Sequence, residues 1–294
     1  MRFSLIVATL GRSAEIGLLL ESLLEQERND FEVILVDQNT DDRLGPIMAT
    51  YQDRLPLRRL HSTIRNANHA RNLGLSHATG EIVSFPDDDC LYPKTVLQQV
   101  DQAFASDPTL TILTGPSASP TGGLGSGRWR QEAGPINLSN VWTSVIEFNL
   151  FLPRQIALDL GGFDERLGPG TRFGSAEGND LVCRAMGRGL HAFYDATLRI
   201  IHPDKRLTEV AVARAASYGR GLGFVLRRHH APLSAWAAFL LRPLGGVGLS
   251  MLRLNFHEAG YYAMTWWGRL TGALAKDASR LPFPSPIQEA TQCA

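Results

Sequence analysis

The stretch Ile82-Val83-Ser84-Phe85-Pro86-Asp87-Asp88-Asp89 joins a short apolar run to three consecutive carboxylates. The apolar run has the length and composition of a buried strand, and the carboxylates follow it directly. Adjacent carboxylates repel one another, and oxygen ligands of this kind suit Mg²⁺ or Mn²⁺ and, through the metal, a diphosphate. The alternative is a solvated acidic turn that caps a helix beginning near Pro93.

Buried strands that end in polar residues also occur twice earlier in the chain. Phe3 to Ala8 and Phe31 to Val36 are short apolar runs, followed by Thr9 and by Asp37-Gln38. Helices are expected between and after the strands. One follows Ser13, with Ile16, Leu19, Leu20, Leu23 and Leu24 at helical spacing, and others cover about 44–52 and 68–77. This alternation predicts an α/β fold with a mostly parallel sheet flanked by helices, in which ligands bind at the carboxyl ends of the strands.

The composition of the 294-residue chain is that of a globular protein, with 44% hydrophobic and 20% charged residues. The formal net charge is zero, which argues against a general nucleic-acid-binding function. Three cysteines, at positions 90, 183 and 293, fit no metal-ligand spacing and favour a reducing cytosol. Met1-Arg2 leads directly into the first apolar run without a cleavage signature, so a strand is expected there rather than a signal peptide.

The segment from Leu207 onward differs from the rest in charge and hydropathy. Between Val210 and Lys276 there are eight Arg or Lys residues and one acidic residue, Glu258. Two nine-residue apolar runs, 233–241 and 244–252, are separated by Arg242-Pro243, and each would extend only about 14 Å as a helix. Aromatic residues that settle at lipid headgroups accompany them: Trp236, Tyr261, Tyr262, Trp266 and Trp267. The pattern favours an extension lying at a membrane surface over a basic helical cap packed on the main domain.

Seven short stretches, taken in order, resemble the inverting glycosyltransferases of family 2, which have the GT-A fold. They are 4–12, 31–37, 70–75, 80–89, 161–165, 176–181 and 201–203. The resemblance implies a Rossmann-like GT-A catalytic domain over 1–206, then the helical extension over 207–280 and a flexible tail over 281–294. It also implies transfer of a sugar from a nucleotide-diphosphate donor to a hydroxyl of a glycan or lipid-linked acceptor.

The resemblance assigns roles to single positions. Asp87 and Asp89 match the DXD-type site for Mg²⁺ or Mn²⁺, and His202 matches a further ligand or diphosphate contact. The positions that match the nucleotide-sugar site are Ala8, Thr9, Arg12, Asp37, Gln38, Arg71, Asp87 and Asp88. The positions that match the acceptor side are Gly162, Phe163 and Asp164, although a helix C-cap would also explain the glycines. His202 and Arg71 have structural alternatives, as a packed histidine and as a helix-surface salt bridge.

The chain departs from the family pattern at three places. Leu10-Gly11 replaces the usual Tyr-Asn, and Asp37-Gln38 replaces a pair of aspartates. The usual Glu-Asp pair before a late helix is Glu177-Gly178, so the expected base aspartate is missing. A general base must reach the acceptor hydroxyl in its ionised form. Glu177, one methylene longer, is the preferred base, and Asp180 is either a substitute or a favourable charge at a helix N-terminus.

Two other functions share such a sheet and acidic cluster. Sugar-phosphate nucleotidyltransferases usually open with a Gly-rich phosphate loop, whereas residues 8–12 contain one glycine. A degenerate nucleotide-sugar-binding protein would explain Gly178 but not the intact acidic triplet. The main prediction is therefore an inverting glycosyltransferase that is peripheral on the cytoplasmic face of the membrane and binds no nucleic acid.

Overall fold

The computed structural model describes residues 1–275 and 284–288. The strands are β1 (Phe3–Thr9), β2 (Phe31–Asp37), β3 (Leu57–His61), β4 (Ile82–Ser84), β5 (Leu110–Thr114), β6 (Ser117–Ala118), β7 (Gly134–Pro135), β8 (Leu150–Pro153), β9 (His191–Tyr194) and β10 (Ile200–Ile201). The helices are α1 (Ala14–Leu24), α2 (Gly45–Tyr51), α3 (Ala67–His77), α4 (Val96–Ser106), α5 (Arg154–Asp159), α6 (Glu177–Gly187), α7 (Glu209–Arg228), α8 (Leu233–Leu252) and α9 (Phe256–Ala273). Except for 284–288, the tail predicted over 281–294 lies outside the described residues.

One eight-stranded sheet organises the first two thirds of the chain, in the order β3-β2-β1-β4-β8-β5-β9-β7. The pairs from β3 to β4 are parallel, as is β5 with β9, while β8 is antiparallel to both of its neighbours. The register places Thr9 beside Asp37, and an isolated bridge joins Ala8 to Asp87. The predicted mostly parallel α/β sheet is confirmed, and its polar strand ends lie at one edge.

Apolar clusters cover both faces of the sheet. Leu5 and Val7 of β1 pack with the buried side of α1, whose buried residues recur every three or four positions. Ile6 points to the other face and packs with Ala70 and Leu75 of α3. Because side chains alternate along a strand, a continuous apolar run supplies both clusters at once. This explains why the strands are apolar without alternation.

Helix α5 ends in a turn that requires glycine. The Gly161 N–H donates to the Leu158 carbonyl and the Gly162 N–H to the Ala157 carbonyl, both at 2.9 Å. This is the Schellman pattern, and both glycines have positive φ, +78° and +59°. The C-cap expected as an alternative for this segment is therefore present, and it sets the direction in which Phe163 and Asp164 leave the helix.

Helices α7 and α9 pack backbone against backbone. A Cβ added at Gly219 or Gly223 of α7 would run into the backbone of α9 at Thr265 or Arg269. In return, a Cβ added at Gly268 of α9 would run into the Ala216 carbonyl. These pairs advance in the same direction along both helices, so α7 and α9 are parallel. Such close approach is open only to glycine.

The expectation of two separate apolar segments around Arg242-Pro243 is wrong, because α8 is one helix of 20 residues that contains Pro243. Proline has no N–H to donate to the Phe239 carbonyl four residues earlier. The Arg269 side chain on α9 donates to that carbonyl instead, at 2.6 Å, and lies over the Phe239 ring. A neighbouring helix thus replaces the hydrogen bond that proline removes. Among the described residues, α8 alone has the length and apolar composition to cross a membrane.

Candidate active site

The middle carboxylate of the acidic triplet is held by the end of β1 and the turn after it. The Thr9 hydroxyl donates to Asp88 Oδ2 at 2.7 Å, and Arg12 forms an ion pair with Asp88. A second Arg12 nitrogen lies 2.8 Å from Asp89 Oδ2. Burial raises the pKa of Asp88, and the Arg12 charge opposes that rise. Thr9 and Arg12, both predicted to contact the nucleotide, therefore hold the triplet in this structure.

The outer two carboxylates of the triplet meet His202, as predicted. Each of Asp87, Asp89 and His202 offers one ligand atom, and these three atoms lie within 4.8 Å of one another. His202 Nε2 is 3.3 Å from Asp89 Oδ1 and 3.9 Å from Asp87 Oδ2. The imidazole stacks on Phe148 with the planes 5° apart. The side chains of Asp87 and Asp89 are 27% and 12% exposed, so the solvated acidic turn considered above does not describe them.

The chemistry of these three groups fits a divalent cation. His202 Nδ1 lies 2.8 Å from the Pro203 carbonyl, which can only accept, so Nδ1 is the protonated nitrogen. Nε2 is then the ring nitrogen that faces Asp89 Oδ1. Among the described residues that buried oxygen accepts no hydrogen bond. One imidazole nitrogen and two carboxylates form a ligand set that Mg²⁺ or Mn²⁺ accepts, so these residues fit a divalent cation.

A buried guanidinium connects the triplet to α6. Arg71 is 4% exposed, so its alternative as a helix-surface salt bridge does not apply. One of its nitrogens donates to Asp87 Oδ1 at 2.8 Å, and the other donates to the Asn68 side chain and lies 3.6 Å from Glu177 Oε1. The guanidinium also lies over the Phe163 ring, with its carbon 5.3 Å from the ring centre. Arg71 therefore aligns the candidate metal ligand and the candidate base with respect to each other.

Glu177 is a buried carboxyl group at the first position of α6. It is 2% exposed, and burial together with the neighbouring Glu147 carboxylate raises the pKa of Glu177 to about 8. Burial also raises the pKa of Glu147, with Asp87 adding to the rise and Arg71 opposing it. Three carboxylates thus surround one guanidinium, and Glu177 holds a proton more tightly than an ordinary glutamate does. Such a group is suited to proton transfer near neutral pH.

Glu147 was not among the residues predicted from the sequence. It begins a 3₁₀ turn over Glu147–Asn149, directly before β8. A Cβ at Gly178 would lie 3.3 Å from the Glu147 backbone nitrogen, so the missing side chain at 178 leaves room for the Glu147 segment. The sequence did contain a signal, because Glu147 is the only charged residue in the otherwise apolar run 145–148. A carboxylate in such a run is rarely buried without a partner.

Asp180, the other candidate base, has side-chain contacts away from the triplet. Its carboxylate lies 2.8 Å from Arg184 Nε and 2.8 Å from His229 Nε2, with Arg228 at 3.7 Å. Burial alone would raise the pKa of Asp180, but Arg184 and His229 lower it to about 2. The residue therefore links α6 to the end of α7. Its role as a favourable charge in the first turn of α6 fits this position.

The predicted nucleotide positions lie together at the carboxyl ends of β1 and β2. Asp37 is fully buried, paired with Arg59 at 2.7 Å, and accepts hydrogen bonds from Asn39. Gln38 donates its backbone N–H to the Thr9 carbonyl, while its buried side-chain oxygen has no hydrogen-bond partner within residues 1–275 and 284–288. Ala8 is partly buried beside them.

The predicted acceptor-side residues are largely structural in their contacts. Phe163 is buried, with its ring edge-on to Phe85 at 4.7 Å, and forms the floor under Arg71. Asp164 is buried between Arg166 and Arg228. Hydrogen bonds from these two arginines hold the pKa of Asp164 below its usual value, although burial opposes them. Gly162 serves the α5 turn, and its carbonyl accepts from Arg184 at 2.6 Å.

Comparison with known proteins gives one family and several relatives. The sequence model of glycosyl transferase family 2 matches residues 4–156. An uncharacterised glycosyltransferase of Haemophilus influenzae is 32% identical over 115 residues, which are 39% of this chain and 38% of that protein. The poly(ribitol-phosphate) beta-N-acetylglucosaminyltransferase TarS of Staphylococcus aureus is 34% identical over 102 residues, which are 33% of this chain and 18% of TarS. The chain thus matches less than two fifths of the length of either relative.

Solved structures share the fold over nearly the whole chain. The mannosyltransferase PcManGT of Pyrobaculum calidifontis, in complex with GDP-Man and Mn²⁺, aligns with a TM-score of 0.59 and 22% identity over 96% of this chain and 76% of that one. TarS 1-349 in complex with UDP-GlcNAc aligns with a TM-score of 0.57 and 17% identity over 92% and 91%. The predicted GT-A-like fold with a C-terminal helical region is confirmed.

Proposed function

Because the chain belongs to glycosyl transferase family 2, we propose that it transfers a sugar from a nucleotide-diphosphate donor to a hydroxyl of a glycan or lipid-linked acceptor, with inversion. The family predicted from the seven stretches is confirmed by the match over residues 4–156. The observation that supports the activity most directly is the convergence of Asp87, Asp89 and His202 with Arg71 and Glu177. The donor class follows from the relatives, whose structures hold GDP-Man and UDP-GlcNAc.

The triplet and His202 serve the departing diphosphate. Asp87, Asp89 and His202 are the residues that would hold Mg²⁺ or Mn²⁺, and a bound cation supplies positive charge where the leaving group becomes more negative. The hydrogen bond from buried Arg71 keeps the Asp87 carboxylate oriented. Arg12 is 41% exposed beside Asp89, and its guanidinium adds charge at the mouth of the same site. Thr9 keeps Asp88 in place.

Glu177 accepts the proton of the acceptor hydroxyl. As that proton passes to the Glu177 carboxylate, the acceptor oxygen bonds to the anomeric carbon. The bond from that carbon to the diphosphate oxygen breaks, and its electron pair leaves with the diphosphate. With its pKa raised to about 8, ionised Glu177 is a stronger base than an ordinary glutamate. Asp180, whose pKa is lowered to about 2 by Arg184, His229 and Arg228, is a much weaker base.

A peripheral position on the cytoplasmic face of the membrane is the location that we propose. The basic balance of residues 210–276 and the exposed apolar helix α8 support it. A lipid-linked acceptor would be available there.

The test is turnover of a panel of nucleotide sugars by the purified chain with Mn²⁺ and a membrane extract as the source of acceptor. Wild type should release a nucleoside diphosphate, and Asp89→Asn should lower the rate by about 100-fold or more. Asp53→Asn, at an exposed position, is the control and should keep full activity. Pyrophosphate release from a nucleoside triphosphate and a sugar phosphate would identify a nucleotidyltransferase instead. Donor binding without turnover by any acceptor would identify a binding protein.

A further inference from the structure

The outward side of the hairpin formed by α8 and α9 is apolar, where a surface helix of a globular domain is normally polar. Only 17% of the 18-residue apolar window of α8 is buried. We call its exposed large side chains the hairpin surface; they include Leu241, Leu244, Leu252, Leu254, Phe256 and Trp267. An exposed apolar area of this extent marks an interaction site.

The centre of the hairpin surface is the turn between the two helices. All seven residues from Met251 to His257 are exposed, and four of them are large and apolar. Leu254 is 76% exposed and has a φ of +55°, a left-handed conformation that is unfavourable for leucine. Glycine or asparagine usually occupies such a position after a helix. Leu254 therefore strains the backbone, and its exposed side chain gains little packing within the described part of the molecule.

The charge of the hairpin restricts the choice of partner. From Leu233 to His257 there is no acidic residue, and the charged residues are Arg242 and Arg253. The next acid, Glu258, is engaged with Asn255, which caps α9. Apolar side chains with flanking arginines and no acid fit an anionic lipid surface. A symmetric contact with a second copy would instead bring the same arginines toward each other.

The packing of α8 favours a position in the lipid interface over a crossing. Arg242 is exposed at the middle of the helix, where a crossing would place its charge in the hydrocarbon centre. The inner side of α8 is committed to α9, because Gly246 lies against the Tyr262 ring and Arg269 binds the Phe239 carbonyl. One side of the helix is thus available to lipid and the other is not.

We propose that the hairpin surface docks on an anionic lipid bilayer, with the turn 251–257 entering the acyl boundary and Arg242 and Arg253 at the headgroups. This inference deepens and rests on the membrane location proposed above. Lipid binding requires neither donor nor acceptor, so it can be measured apart from catalysis.

The experiment is co-sedimentation of the full chain with vesicles of phosphatidylcholine, with or without phosphatidylglycerol. Wild type should bind the phosphatidylglycerol vesicles better, and added salt should weaken that binding. The double variant Leu252→Ser, Phe256→Ser should lower the partition coefficient by roughly 100-fold, and Leu254→Gly by roughly tenfold. Leu18→Ser, which changes a leucine on α1 that is 62% exposed, is the matched control and should bind like wild type.

Leu254→Gly separates docking from folding. Glycine relieves the positive φ, so the Tm of this variant should be unchanged or higher while its lipid binding falls. Equal binding by all variants would overturn the proposal, and so would equal binding to both kinds of vesicle. A concentration-dependent dimer that the same substitutions dissociate, without vesicle binding, would assign the surface to a second copy. Calorimetric binding of a nucleotide sugar without vesicles tests the proposed activity separately.

Discussion

The substitution Asp180→Asn distinguishes a structural aspartate from a catalytic one. Asparagine keeps the shape of the side chain but removes the negative charge that faces Arg184, His229 and Arg228. Breaking a buried ion pair on one side costs about 3–5 kcal/mol, because the Arg184 and Arg228 guanidiniums stay buried. A loss of 1 kcal/mol lowers the Tm of a chain of about 150–250 residues by roughly 2–4 °C. The Tm of Asp180→Asn should therefore fall by roughly 6–20 °C.

The acidic range provides a second test of the same network. The pKa of Asp180 is lowered to about 2 from a usual value of 3.8, so its stabilisation is present above about pH 4. It is lost as the pH falls through about 2, and the difference between wild type and Asp180→Asn should vanish there. Asp41→Asn is the control, since Asp41 also has a pKa of about 2 but its ion pair with Arg43 is at the surface. That variant should keep the wild-type Tm.

The assay combines thermal unfolding with turnover measured well below the Tm of each variant. Asp180→Asn should retain most of its kcat there, with a higher KM for the acceptor, because Arg184 also binds the Gly162 carbonyl. An unchanged Tm together with a turnover loss of about 100-fold or more would refute this reasoning, and Asp180 would then be the base.

Three further substitutions test other parts of the structure. Glu177→Gln should lower kcat by about 100-fold or more and leave donor binding intact. The wild-type rate should rise with pH up to about 8, because the base acts in its ionised form. A wild-type rate that is constant across the neutral range would contradict this. Arg12→Gln should tighten Mn²⁺ binding about tenfold in calorimetry without nucleotide, because it removes the cation that pairs with Asp89 at 2.8 Å. Arg28→Gln, the control, should bind Mn²⁺ like wild type, and weaker binding by Arg12→Gln would disprove the competition. Arg269→Leu should lower the free energy of unfolding by about 1–3 kcal/mol, because the Phe239 carbonyl loses its donor. Adding Pro243→Ala should recover part of that loss, because alanine supplies a backbone N–H. A double variant as unstable as Arg269→Leu alone would show that the Phe239 carbonyl does not matter.

The edge of the sheet could be predicted from the sequence because each of its parts follows a local pattern. Thr9, Asp37 and Asp87 each follow or end an apolar strand, and parallel pairing brings the ends of such strands together. His202 follows β10, which lies outside the main sheet, and an isolated bridge between Ile201 and Leu91 brings it beside the triplet. The resemblance to the family gave these positions roles, and those roles stay predictions.

Residues positioned by tertiary contacts could not be predicted in this way. Glu147 reaches the site because β8 is inserted antiparallel between β4 and β5, and no local periodicity announces that insertion. The break expected at Pro243 is absent because Arg269, distant in sequence, supplies the missing donor. In both cases the deciding interaction joins segments that the chain keeps far apart.

The glycine-lined contact between α7 and α9 has a mechanical consequence. Arg228 and His229, at the end of α7, contact the catalytic domain: Arg228 pairs with Asp164, and His229 lies against Asp180. The close packing of α7 on α9 and the contacts of Arg228 and His229 therefore connect the catalytic domain directly to the α8–α9 hairpin. If that hairpin rests on a bilayer, the cleft is held at a fixed height and orientation above the lipid. The length of a lipid-anchored acceptor, and not a movement of the enzyme, would then decide which sugar hydroxyl comes within range of Glu177.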